Sequence, residues 1–218
     1  MFSLNVPVLG KTYKILFSWS FLLLILLNSV LSGVQGFVIT AILTLSILLH
    51  EFGHILMAKK YGIDCQEIEF SFLGGAAKVE QDLNVERMSA KHIFAIAAAG
   101  PLVSVALALV FGISGLLLES FSKTTYDYFI LISAINLIIA IFNSLPVFPL
   151  DGGRMLEALS SLYLTKKNTY KLTFFASVLF TGLIAAFDIY AHAYFGLVIC
   201  GFLALNCWAY YINKVSNK

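Results

Sequence analysis

The sequence predicts an all-α polytopic membrane protein of about six transmembrane helices, with a small β-hairpin or re-entrant element after the second. Three observations predict it. Hydrophobic residues fill 60% of 218 positions and charged residues only 12%, about half the charge of an ordinary soluble domain. The apolar residues gather into six runs. The cations lie almost all on one side of those runs. A formal net charge of +2 is too small to imply nucleic acid as a partner; the implied partner is the lipid bilayer.

In order, Met1 to Lys14 is a short segment whose Lys11 and Lys14 precede the first run, Ile15 to Leu31. With tilt and flanking residues that run is long enough to cross a bilayer. A signal peptide is the competing reading, because Val30 and Ser32 satisfy a small-residue cleavage rule. The second run, Phe37 to Ala58, ends at Lys59-Lys60, and a polar connection from Tyr61 to His92 follows. The third, Ile93 to Leu118, opens on Ala97-Ala98-Ala99-Gly100-Pro101, where a neighbouring helix can approach closely. The fourth, Tyr128 to Leu150, is interrupted by Pro146 and Pro149; an amphipathic link from Arg154 to Tyr170 leads to the fifth, Leu172 to Phe187, and the sixth is Ala193 to Ile212. No repeat or soluble module stands out, so residues 1–218 read as a single membrane-embedded domain.

Six crossings put thirteen of the fourteen Lys and Arg residues on one side and Lys123 alone on the other. The positive-inside rule makes that side cytoplasmic, with both termini. The reading is a multi-pass integral protein of the plasma membrane. Cys65, Cys200 and Cys207 fit no metal spacing, and the last two read as buried small side chains of one helix. Asn136 and Asn206 read as hydrogen-bonding residues between helices.

The chemistry is concentrated in His50-Glu51-Phe52-Gly53-His54. His50 and His54 are one helical turn apart, so both imidazoles leave the same face and can share one metal ion. Glu51, about 100° further round, can reach a water on that metal without being a ligand. This is the arrangement of a zinc hydrolase, with one Zn2+ per chain. His54 lies just before Lys59, so the metal would sit on the order of 10 Å inside the cytoplasmic leaflet, the active site opening to the cytoplasm.

That depth restricts the third ligand. A metzincin would need Gly and His where Met57 and Lys60 stand. Glu67, Glu69 and Glu80 lie outside the apolar runs, while Glu119, Asp127, Asp188 and His192 belong to the far leaflet. Asp151 remains, where the fourth run returns to the same leaflet, with Glu157 as its substitute. It closes Asn143-Ser144-Leu145-Pro146-Val147-Phe148-Pro149-Leu150-Asp151-Gly152. The two prolines release backbone groups that are tolerated at membrane depth only against protein or water.

The two stretches together resemble the site-2 protease family of intramembrane zinc metalloproteases, whose signature pairs His-Glu-x-x-His with Asn-x-x-Pro-x-x-Pro-x-Asp-Gly on a later helix. Gly74-Gly75 and Ala99-Gly100-Pro101 also look like family features, and the resemblance covers nearly the whole chain. It implies a compact member without PDZ or CBS modules. It also implies cleavage of membrane proteins within or beside a transmembrane segment, in regulated intramembrane proteolysis, with a regulatory membrane protein as a further partner.

On this reading His50, His54 and Asp151 hold zinc, and Glu51 moves the proton from water to the departing amine. Asn143 is the candidate donor to the developing oxyanion. The alternation of Ile68, Phe70 and Phe72, followed by Gly74-Gly75 as a turn and Ala76 to Glu80 as a return strand, predicts a hairpin that binds an unwound substrate by strand addition. Water must reach the metal through the cytoplasmic face, with the kinked Pro146 to Pro149 segment as its gate; Pro146 and Pro149 join Phe70, Phe72, Gly74 and Gly75 as candidate substrate-binding residues. An inactive zinc-binding scaffold and a metal transporter are the alternatives. A scaffold would keep its role without Glu51, and a transporter would need polar ligands in both leaflets.

Overall fold

A computed structural model of the protein describes residues 2–8, 11–63, 65–71, 74–79 and 88–216. Contacts divide the chain into two units, Met1–Arg87 with Ala99–Ala140, and Met88–Ala98 with Ile141–Lys218.

The first unit begins with two strands, β1 (Phe2–Val8) and β2 (Lys11–Phe17), paired antiparallel. Lys11–Phe17 is therefore extended, and the first helix starts at Trp19, not at Ile15 as hydropathy suggested. The sequence there alternates, with Tyr13, Ile15 and Phe17 at every second position, which is the period of a strand. Strands β3 (Cys65–Ser71) and β4 (Gly74–Val79) complete a four-stranded sheet in the order β1-β2-β3-β4, β3 lying parallel to β2 and antiparallel to β4. Gly74 pairs with Ser71 and Gly75 with Phe70, so both glycines belong to the strand instead of the turn expected of them. The connection at Phe72 and Leu73, and Glu80 beyond β4, fall outside the described residues.

Helix α1 (Trp19–Lys60) runs for 42 residues, about 63 Å if straight and twice a hydrocarbon core. It is not straight. Gly33 has φ 60° and ψ −145°, a conformation glycine adopts without the steric cost of a side chain. Asn28 Nδ2 donates to Thr40 Oγ1 at 3.2 Å, although twelve residues of unbroken helix would separate them by about 18 Å. The chain therefore doubles back at Gly33. A side chain at Gly36 would meet the carbonyl of Asn28, so the two arms close tightly on that glycine.

The second arm packs on α2 (Ala90–Leu118) and α3 (Lys123–Asn143). A Cβ at Gly53 would lie 2.7 Å from the carbonyl oxygen of Ala99, so this is the close helix approach that the small-residue stretch predicted. Asn136 Nδ2 donates to Ser46 Oγ at 2.9 Å and ties α3 to α1. Ser133 Oγ donates to the Ala108 carbonyl at 2.7 Å and ties α3 to α2.

The second unit holds α4 (Asp151–Ser160), α5 (Lys166–Tyr190) and α6 (Gly196–Tyr211). Its core joins Val147, Leu203 and Cys207. Cys200 and Cys207 are free and buried, as expected of small apolar side chains. Asn206 Nδ2 instead donates to Phe202 O one turn back in its own helix at 2.8 Å. Along α5 a buried stripe of Thr169, Thr173, Ser177 and Thr181 repeats every four residues.

Among the described residues five helical stretches are long and apolar enough to cross a membrane, Leu26–Lys60, Ala90–Leu118, Lys123–Asn143, Lys166–Tyr190 and Gly196–Val215. Hydropathy had counted six because it divided the doubled-back α1 into two runs. With large apolar side chains such as Leu102, Val110 and Phe187 turned outward, the chain is an integral membrane protein.

Candidate metal centre

His50 and His54 lie in the second arm of α1, among residues that favour continuous helix, and the i, i+4 spacing sets their rings edge-on, 4.9 Å between centroids and 79° between planes. Their Nε2 atoms face each other at 3.3 Å. Two nitrogens each about 2.05 Å from a tetrahedral zinc would be ~3.3 Å apart, so the pair already has the span that a shared ion requires. Glu51 is 9% exposed and His50 3%.

Helix α2 forms the other wall around this pair. A Cβ at Gly100 would fall on His54 Nε2 and lie 2.6 Å from His50 Nε2. The space in front of the imidazoles therefore exists because residue 100 has no side chain. One turn further along α2, Ser104 Oγ is 3.0 Å from His50 Nδ1, and Ser104 is fully buried. The sequence reading singled out neither contact. The signal was nevertheless present, since Gly100 and Ser104 share a face of an otherwise apolar helix.

Asp151 is the first residue of α4 and is half-buried. The preceding segment is held by hydrogen bonds at both ends of one residue: Phe148 N donates to Ser177 Oγ at 2.8 Å, and Cys207 Sγ donates to Phe148 O at 3.3 Å. Gly152 and Gly153 let α4 begin against it, because a Cβ at Gly152 would meet the carbonyls of Ser144 and Leu145. The Asp-Gly-Gly sequence is thus a packing requirement as well as a motif. The Phe148-Pro149 peptide bond is cis, and Pro146 and Pro149 lie in the irregular stretch between α3 and α4. Asn143 is the last residue of α3.

His50, His54 and Asp151 each offer one ligand atom, and these atoms lie within 4.8 Å of one another, a group that could hold a metal ion. Two imidazoles and a carboxylate suit a catalytic zinc, which takes three protein ligands and keeps a fourth position open. Glu157, the substitute ligand of the sequence reading, is committed elsewhere, since Tyr210 Oη donates to its Oε2 at 2.9 Å.

A family model for peptidase family M50 matches residues 38–125 and 119–185. The chain belongs to this family. Among curated relatives, a zinc metalloprotease of Methanocaldococcus jannaschii is 35% identical over 127 residues, covering 57% of this chain and 34% of the relative. Stage IV sporulation protein FB of Bacillus subtilis is 31% identical over 138 residues, covering 63% of this chain and 46% of the relative. The chain thus spans a third to a half of the curated relatives it matches. A solved structure, the site-2 protease from Methanocaldococcus jannaschii, shares the fold with a TM-score of 0.66 at 23% identity, over 95% of this chain and 94% of that one. Membership in M50 implies zinc as the metal.

Proposed function

We propose that this M50 chain is an intramembrane zinc metalloprotease that hydrolyses a peptide bond within or beside a transmembrane segment of a membrane protein. The observation that carries the reading is the pair of facing imidazoles at 3.3 Å, with a carboxylate in the same ligand group. His50, His54 and Asp151 are the proposed ligands. Zinc, when bound there, acidifies a water and polarises the scissile carbonyl.

The remaining chemistry belongs to side chains of the protein. Glu51, adjacent to the first ligand and largely withdrawn from solvent, accepts the proton of the attacking water and passes it to the departing amine. Asn143 donates its side-chain amide to the oxygen that gains charge on the scissile carbonyl, without adding a charge to the membrane. A peptide bond in a helical substrate is shielded by its own hydrogen bonds, so the substrate must be extended locally before it can react. Strand β4 is at the edge of the sheet among the described residues, and we assign substrate pairing to that edge. Phe70, Gly74 and Gly75 are the proposed substrate-binding positions in the strands, with Phe72, which lies outside the described residues, proposed from the sequence alone, and Pro146 and Pro149 those in the loop before Asp151.

The chain acts as one catalytic domain of six membrane crossings, the two arms of α1 counting separately. The reversal at Gly33 supports this count, because it returns Lys59 and Lys60 towards the side on which Lys11 and Lys14 precede the first arm. The positive-inside rule then puts both termini and the site opening on the cytoplasmic side, and we assign the protein to the plasma membrane. Regulation falls to a separate membrane protein.

The test is co-expression with single-span membrane proteins, scored by a shortened fragment. Glu51→Gln and Asp151→Asn should both abolish the fragment, the first with zinc retained and the second with zinc weakened. Normal processing by the Glu51→Gln protein would exclude Glu51 as the base.

A further inference from the structure

We infer that Ser104 is a positioning residue for this metal centre: its hydroxyl accepts the Nδ1–H of His50 and so presents the Nε2 lone pair of that ring to the ion. The inference rests on the reading of His50 as a ligand. A histidine that ligates through one ring nitrogen carries its proton on the other, and the partner of that proton fixes both the tautomer and the rotation of the ring.

The two nitrogens of His50 are divided in this way. Nε2 faces Nε2 of His54 at 3.3 Å, while Nδ1 lies 3.0 Å from Ser104 Oγ. His50 is 3% exposed and Ser104 0%, so bulk water does not compete for the contact. Ser104 reaches Nδ1 from the α2 face on which Gly100, one turn earlier, leaves space at the two Nε2 atoms. One face of α2 thus performs two tasks, the absent side chain making room for the ion and the hydroxyl orienting its ligand. If the hydroxyl instead donated to Nδ1, the proton would sit on Nε2 and point at the position the ion needs. Ligation therefore requires serine in the accepting role.

The experiment uses the full chain purified in detergent and stripped of metal, as wild type, Ser104→Ala and Ser133→Ala. Ser133 makes a comparable interhelical hydrogen bond, to the Ala108 carbonyl, and serves as the packing control. Zinc affinity is measured by competition with a chromophoric chelator, and the protonated ring nitrogen of His50 is read from the 15N spectrum of histidine-labelled apoprotein. Ser104→Ala should weaken zinc binding by about 10- to 100-fold, with wild-type His50 protonated at Nδ1 and Ser133→Ala binding zinc like wild type. Wild-type affinity in Ser104→Ala would overturn the inference, as would a wild-type His50 protonated at Nε2. Failure of the wild-type chain to bind zinc at all would overturn the metalloprotease reading itself, an outcome distinct from equal binding by wild type and Ser104→Ala.

Discussion

Substituting Gly100 by alanine places one methyl group where the structure has least room for it. The new carbon would lie 2.6 Å from His50 Nε2, against the 3.4 Å at which ordinary contact begins, and closer still to His54 Nε2. Relief needs about 0.8 Å of movement at His50, whereas a ligand set tolerates roughly 0.2 Å. Either the rings move and the 3.3 Å span of the pair is lost, or α2 moves and carries Ser104 away from His50 Nδ1. Misplacement on the order of 1 Å reduces catalysis by roughly 10²-fold. The assay is zinc per chain by mass spectrometry alongside substrate cleavage, with helicity by circular dichroism as the folding check. Gly112→Ala is the control, since its Cβ would press on Ser133 Oγ at 2.9 Å in a contact between α2 and α3. Gly100→Ala should lose both zinc and cleavage while Gly112→Ala keeps its zinc. Full zinc loading in a folded Gly100→Ala protein would refute the argument that the missing side chain makes the site.

Three further outcomes are expected. Ser177→Ala leaves the half-buried Phe148 N–H without its acceptor, which should cost about 0.5–1.5 kcal/mol; an unchanged thermal midpoint in detergent would show that this bond does not hold the loop. Tyr210→Phe removes the donor to Glu157 and should lower stability by about 1–2 kcal/mol while zinc stays bound; loss of zinc would return Glu157 to the ligand set. A chelator should abolish cleavage and lower the thermal midpoint, and zinc at a hundred times its dissociation constant should restore about 2.7 kcal/mol. A midpoint indifferent to zinc would separate the metal from the fold.

The metal group was legible because its chemistry is local in sequence. One helical turn between His50 and His54 brings two imidazoles together without knowledge of the fold, and the depth of the two runs named Asp151 as the third member of the group that could hold a metal. The sheet was half legible. Alternation marked Ile68 and Phe70 within β3, but the same signal from Tyr13 to Phe17 was hidden by its continuity with an apolar run, so the first helix was begun too early. The reversal at Gly33 was beyond hydropathy, which averages over a window and does not register one backbone conformation. Ser104, and the place of Gly100 against the two imidazoles, were missed for a different reason. Their role is set by which helix packs against them, and periodicity within one run names the face but not the neighbour.

The central claim is that two imidazoles and one carboxylate from distant stretches hold a single zinc. X-ray absorption at the zinc edge of the purified chain tests it most directly. The expected spectrum has two imidazole nitrogens at about 2.0–2.1 Å and oxygen in the remaining positions, reduced to one imidazole in a zinc-loaded His54→Ala protein. A sulfur shell, or a spectrum that His54→Ala leaves unchanged, would contradict it.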